Sequence, residues 1–341
     1  MQTDLRPLTL GEILDRTAEL YRSNFLLLAG ISSLYGGILL FLSLLQIAVQ
    51  RGLVAMHMND YVIGATIVGT VVLWLAIFVT GGIAVAANTR AVGWLHMGEP
   101  ASIGAAYRAV LPRTGRYLWL MTITYFRAWF PLVLIYGAYA ALIFAYVKPK
   151  GMLAAHPAHT VDQRALLIFG GATIAFLILL LVFGVYGIIM SLRYALAVPA
   201  CAVEDLKARA AIRRSIQLSK GSRWRIFLLG LLALIIQLGL TGITQGVFIV
   251  LEIQHKRELP VWMTVLQQFL AFLTNTFVGP IYATGFTLFY YDQRVRKEGF
   301  DIEHMMQAAG MTGLPTRVEG GSTLESAPVA EPGGVTGGAN E

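Results

Sequence analysis

The residues through which this 341-residue chain could do chemistry are few: His156 and His159, a single cysteine, Cys201, two arginines inside apolar runs, Arg127 and Arg193, and 19 carboxylates. His156 and His159 have the spacing of two metal ligands on one helical face. Pro157 breaks that helix and no third ligand is evident, so they read as a solvated loop pair. Cys201 follows Pro199 and Ala200 in an apolar setting with no histidine beside it, which makes it a packing residue rather than a nucleophile. None of the acids lies well inside an apolar run. This argues against proton coupling through carboxylates, an intramembrane aspartyl protease and paired-carboxylate hydrolysis. No G-x-x-x-x-G-K-[ST] loop occurs, so nucleotide hydrolysis has no support either. The expectation is a protein without catalytic residues, metal or cofactor.

Arg127 and Arg193 are different, because a cation within a span is costly unless it snorkels or pairs, and it marks a candidate functional position. Arg193 could reach headgroups or pair with Glu204 or Asp205; Arg127 sits deeper. Neutral polar residues gather further on: Gln237, Thr241, Thr244 and Gln245, then Gln267, Gln268, Thr274, Asn275 and Thr276 before Gly279-Pro280. Such groups usually hydrogen-bond between helices. A polar cleft formed by Gln237, Thr241, Gln245 and Asn275 beside an interrupted helix is the alternative. The densest charge lies between them: Lys207, Arg209, Arg213, Arg214, Lys220, Arg223 and Arg225, with no acid among them. Each cation near an anionic leaflet contributes on the order of 1 kcal/mol. The bland reading is a topology signal without a ligand.

The elements that must carry these residues are membrane helices. Apolar residues make up 56 % and charged residues 13 %, and mean hydropathy is +0.66, against about 25 % charged in soluble domains. Six runs reach the roughly 20 residues needed to cross about 30 Å of hydrocarbon as helix: 25–48, 62–87, 117–147, 165–198, 226–250 and 262–291. They are apolar on every side, which excludes a strand-based barrel. Pro131 and Gly279-Pro280 are the expected kink points. The first 24 residues lack a signal-peptide core, so the N-terminus is expected to be retained. Of the Lys and Arg residues, 18 fall on one side of these runs and 6 on the other, which predicts cytoplasmic termini in an inner-membrane protein.

A repeated plan is visible. LGEILDRTAELYRS, with Thr9 and Glu12 in capping-box spacing, has an apolar face and is expected to lie in the interface. Similar short helices precede the third and fifth spans, giving three units of interfacial amphipathic helix plus helical hairpin. Asp205 is expected to cap the third short helix and Gly221 to end it. Ala211, Ser215 and Ser219 recur every four residues, which allows close contact with another helix. Tyr290 and Tyr291 are placed at headgroup level, with the helix continuing past them. Residues 306–341, rich in Gly, Pro, Ser, Thr and Glu, read as a disordered cytoplasmic tail after a membrane domain spanning 1–305.

Three stretches, PLTLGEILDRTAELYRSNF, RYALAVPACAVEDLKARAAIRRSIQLSKGSRWRIF and LFYYDQRVRKEGFDIEHM, resemble the membrane-domain family of glycerophosphoryl diester phosphodiesterases. The matching positions are Leu10, Gly11, Ile13, Tyr21 and Arg22; then Arg193, Pro199, Glu204, Ser215, Gly221 and Trp224; then Tyr291, Asp292, Arg294, Lys297, Glu298, Gly299 and Asp301. The resemblance covers roughly residues 5–305 and implies the membrane fold. In relatives that hydrolyse glycerophosphodiesters, the resemblance implies, the chemistry belongs to a separate TIM barrel of about 250 residues. Only 50 residues, 292–341, follow the last span. The expected function is therefore a non-enzymatic membrane scaffold or accessory subunit whose basic helices engage anionic lipid. A membrane-protein partner is a further expectation, and nucleic acid is not. The alternative is a transporter or flippase for a lipid or small amphiphile that uses Arg127, Arg193 and the polar cleft.

Overall fold

The computed structural model describes residues 6–147, 163–255 and 260–308. His156 and His159, and all of the expected tail beyond 308, lie outside them. The described residues form helices and connecting turns, with no strand among them.

Capping begins the first helix. Thr9 accepts from the Glu12 backbone N–H at 3.3 Å while the Glu12 carboxylate accepts from the Thr9 N–H at 2.6 Å, the reciprocal box read from the sequence. Helix α1 (Leu10–Ser23) then meets α2 (Phe25–Ala55) across Asn24 alone. Helix α3 (Asn59–His96) returns, and α4 (Ile103–Val110) with a 3-10 turn leads into α5 (Thr114–Val147). After α6 (Gln163–Tyr194) come α7 (Ala197–Val203), α8 (Ala208–Ser219), α9 (Arg223–His255), α10 (Val261–Glu298) and α11 (Phe300–Ala308). Among the described residues six helices are long and apolar enough to cross a membrane; this is an all-α, multi-pass integral membrane protein. Two compact units divide at Asp301, and residues 302–308 are the described part of the second.

Helices α5 and α10 run through Pro131 and Pro280 without interruption. A break occurs at the end of α6. Pro199 has no N–H to donate one turn back, and it occupies the first turn of α7, where a missing donor costs least. Asp205 does not cap α8, whose preceding residue is Lys207. It adopts the left-handed conformation, φ 57°, between α7 and α8. Gly221, at φ 83°, follows the end of α8 as expected, and Gly299, at φ 65°, separates α10 from α11.

The threefold plan also shows in the packing. Helix α1 lies on α10, α4 on α3, and α8 on α5 and α6. Each short helix thus covers the last span of the preceding hairpin, and the first closes onto the last. Among the spans, α10 is central, packing on α2, α3 and α9. Its approach to α2 needs Gly36, since a Cβ there would stand 3.0 Å from a Phe272 ring carbon.

The buried core gathers at the end of the bundle that carries the short helices. Ile13, Leu28, Ala91, Val110, Leu120, Leu196, Leu218, Ile226 and Phe289 are all enclosed there, whereas Phe41, Val68, Trp74, Leu181 and Ile243 face outward along the spans. Surface that water would not tolerate is normal where lipid is the solvent. The apolar faces of the short helices are consumed by this core. Ile13, Thr17 and Leu20 of α1 are buried, and Thr17 stands beside the position a Cβ on Gly285 of α10 would take. Helix α1 is therefore packed along α10 through its apolar stripe. Tyr290 and Tyr291 are likewise enclosed by protein, because α10 continues past them into the core formed by α3, α7 and α8.

Candidate functional site

The short-helix end contains three knots in which arginines hold the acids. In the first, the Asp292 side chain, fully enclosed, accepts from the Leu8 backbone N–H at 2.8 Å, from Arg225 at 3.2 Å and from Arg296 at 2.9 Å. Arg225 also donates to the Leu8 carbonyl at 2.8 Å, as does Arg296. Both polar groups of one backbone residue are thereby tied to α9 and α10. Helix α1 leaves from this anchor and is fixed further along by the Tyr21 hydroxyl, which donates to the Phe277 carbonyl at 2.8 Å.

In the second knot, Arg214 of α8 lies between two carboxylates. Its Nε and Nη2 donate to Glu204 at 2.9 and 2.8 Å, and Nη2 donates to Glu298 at 2.6 Å. Tyr290 donates to the same Glu204, and Arg294 contacts Glu298 at 3.3 Å. Burial works against the Arg214 cation, but the bonds to Glu298 and Glu204 outweigh it and raise its pKa above the ordinary guanidinium value. The third knot is Asp205, held by Arg113 at 2.6 Å and Arg116 at 2.7 Å. Lys297 completes the arrangement by donating to the carbonyls of Gln217, Leu218 and Lys220 at the end of α8, where helical partners run out.

What remains of the basic run is exposed. Lys207, Arg209, Arg213, Lys220 and Arg223 face outward, and their side chains have no hydrogen-bond or ion-pair partner among the described residues. Beside them Trp224 is 68 % exposed and stacks on Phe227, an arrangement typical of an interfacial anchor. Five cations and an indole are thus spread along α8, from Lys207 before it to Lys220 after it, and onto the start of α9. Arg214 and Arg225, read from the sequence as members of the same surface, are committed to internal acids.

The other singled-out residues are dispersed. Arg127 is exposed on α5, without a side-chain partner among the described residues; its carbonyl accepts from the Tyr186 hydroxyl at 3.4 Å. Arg193 is half-buried, with an Nε that has no partner and a sulfur contact to Met190 at 3.9 Å. Its carbonyl accepts from Ser215 at 2.8 Å, and the buried Ala211, Ser215 and Ser219 face α6 at this point. Gln237 donates to Thr241 within α9 at 3.2 Å, and Gln245 reaches the Gln267 carbonyl of α10 at 3.5 Å. Asn275 donates to its own helix at Ala271, 3.0 Å away. Of these four, Gln237 alone lines a cavity of about 670 Å³ among the spans, and neither Arg127 nor Arg193 does. Cys201 is buried and directs its Sγ at the Leu206 carbonyl, 3.2 Å away. No group of three metal-ligating side chains occurs among the described residues.

Glu204, Ser215, Gly221, Trp224, Tyr291, Asp292, Arg294, Lys297, Glu298 and Gly299 all belong to this architecture of knots, turns and anchors, and they are among the positions on which the sequence resemblance rests. Residues 168–320 match the membrane domain of glycerophosphoryl diester phosphodiesterase. The match runs from α6 through α11 and takes in the second and third of the resembling stretches; the first lies outside it. It is a match to the family's membrane domain, not to a catalytic one. Neither a curated protein nor a solved structure matches the chain. Within the membrane-domain match lie the Arg214 knot, Asp292 with Arg225 and Arg296, and all five exposed cations.

Proposed function

We propose that this protein is a non-enzymatic membrane scaffold or accessory subunit that engages anionic lipid at the cytoplasmic face of the inner membrane. The carrying observation is the division of the basic run: Arg214 and Arg225 hold acids inside, while Lys207, Arg209, Arg213, Lys220 and Arg223 stand outside with Trp224. Five such cations near an anionic surface contribute on the order of 5 kcal/mol before screening. The buried face of α8 packs that helix on α5 and α6, so its charges are displayed on a backbone that is already ordered. The recognition is electrostatic, since the apolar faces of α1 and α8 are already spent on the core.

The charge asymmetry of the connections supports cytoplasmic termini. A match confined to a membrane domain supports a role in which any chemistry belongs to another protein, with this chain as its membrane partner. Two measurements test the reading. A cytoplasmic reporter fused after Glu303 is active and a periplasmic one inactive; the reverse overturns the orientation. In bilayers of mixed phosphatidylglycerol and phosphatidylcholine, the wild-type chain enriches phosphatidylglycerol around itself, and changing the five cations to Gln abolishes the enrichment. Equal enrichment by both proteins overturns the lipid-engaging role.

A further inference from the structure

The spans α5 and α6 stand apart from α9 and α10, and a cavity of about 670 Å³ opens between them with α3 behind. This is the size range of small-molecule sites. Most of its wall is apolar, but Tyr125, Ser191, Tyr194, Gln237 and Tyr282 contribute from four helices. The hydroxyls of Tyr125, Ser191, Tyr194 and Tyr282 have no hydrogen-bond partner among the described residues, and the amide oxygen of Gln237 accepts none. Tyr125 and Tyr282 are 59 % and 44 % exposed, so the chamber is open at its side, where the surroundings of a spanning bundle are lipid. No Lys, Arg, His, Asp or Glu lines it. A second, apolar chamber of about 260 Å³ between α1, α9 and α10 shares Ala233, Ile236, Ile281 and Tyr282 with the first, and Arg22 stands at its wall.

From these features we infer that the cavity binds an uncharged lipid carrying hydroxyl and ester oxygens, of diacylglycerol chemistry. Unpartnered hydroxyls in an apolar setting are costly unless a ligand or water completes them. The absence of a cation from the larger chamber disfavours a phosphate there, whose charge would lose its hydration without compensation. A polar centre with an adjoining apolar arm suits a glycerol backbone with its chains. This site is separate from the exposed cations and does not depend on the surface role proposed above.

The test uses the full chain in detergent with 1,2-dioleoylglycerol carrying a diazirine in one acyl chain. Photolabel is expected on peptides containing 121–129 and 230–237. Excess unlabelled dioleoylglycerol removes it, and dioleoylphosphatidylglycerol does not. Changing Gln237→Leu together with Ser191→Ala lowers labelling about fivefold, two modest hydrogen bonds being lost, and Ala195→Phe, which fills the chamber, lowers it as well. Label spread over outward positions near Phe41 and Trp74 without competition overturns the inference. So does competition by phosphatidylglycerol that disappears in Arg22→Gln, which would assign an anionic headgroup to the smaller chamber. Unchanged labelling in both variants, with wild-type circular dichroism, overturns it too. If a variant does not fold, the wild-type competition decides.

Discussion

Arg213 and Arg214 are neighbours in the chain and opposites in space: Arg214 sits between Glu204 and Glu298, while Arg213 is exposed with no partner among the described residues. One turn of sequence therefore contains both a structural cation and a free one. Their substitutions separate accordingly. Arg214→Gln strands two partly buried carboxylates and lowers stability by about 1 to 3 kcal/mol, whereas Arg213→Gln changes it by less than about 0.5 kcal/mol. Thermal unfolding in detergent measures the difference, and equal losses would contradict the division.

The Asp292 knot anchors the N-terminal arm. Asp292→Asn leaves Arg225 and Arg296 without their enclosed counter-charge and costs about 2 to 4 kcal/mol. Because Leu8 is held by the same carboxylate, hydrogen exchange across α1 rises before exchange across α2 or α3. A uniform rise over all helices would show that α1 is not released as a unit.

The capping box at Thr9 has a pH signature. The Glu12 carboxyl is held down from 4.5 to about 2, first by the Thr9 backbone N–H, then by the Thr9 side chain and the Arg6 guanidinium. A depressed acid contributes stability above its unfolded pKa and loses it as pH falls through the folded one. Protection of the first turn of α1 is therefore constant from pH 7 to about 5 and declines between pH 4.5 and about 2. Glu12→Gln removes that dependence; a decline of equal shape in the variant would assign it to another group.

Ser215 accepts from the Leu196 N–H at 3.2 Å and donates to the Arg193 carbonyl at 2.8 Å. It completes the break between α6 and α7 from within the α8 face. Ser215→Val leaves the buried Leu196 N–H unpaired and the Arg193 carbonyl with only the longer bond from Ser219, and lowers stability by about 1 to 3 kcal/mol. Ser215→Thr, which keeps the hydroxyl, loses less if the added methyl is accommodated by Ala211 and the turn. Equal losses would assign the position to packing alone.

The parts of this molecule that depend on neighbours in sequence were readable from it. Six spans, the Thr9–Glu12 box, the turn at Gly221 and the two faces of α8 follow from local period and local chemistry. The knots do not. Asp292 and Leu8 are 284 residues apart, and nothing at position 225 marks Arg225 as internal while Arg223 stays outside. Glu204 and Asp205 stand near Arg193 in the sequence, yet they take Arg214 and the Arg113–Arg116 pair, because α8, the 3-10 turn after α4 and the start of α5 bring their cations closer. The sequence likewise does not show what α1, Tyr290 and Tyr291 pack against: an apolar stripe fits lipid and protein equally well, and only the fold supplies the protein neighbours that enclose Ile13, Leu20, Tyr290 and Tyr291. Gln237 stands out in the sequence for its polarity, but its association with Ser191, Tyr194 and Tyr282 requires the gap between two hairpins.

The most direct test of the central claim is native mass spectrometry of the detergent-purified chain with added phosphatidylglycerol. It compares wild type, the variant with Lys207, Arg209, Arg213, Lys220 and Arg223 changed to Gln, and Arg127→Ala. The account predicts graded loss of bound phosphatidylglycerol in the five-site variant and wild-type binding in Arg127→Ala. Full retention by the five-site variant, with loss in Arg127→Ala, would contradict it and move the anionic-lipid site into the spans.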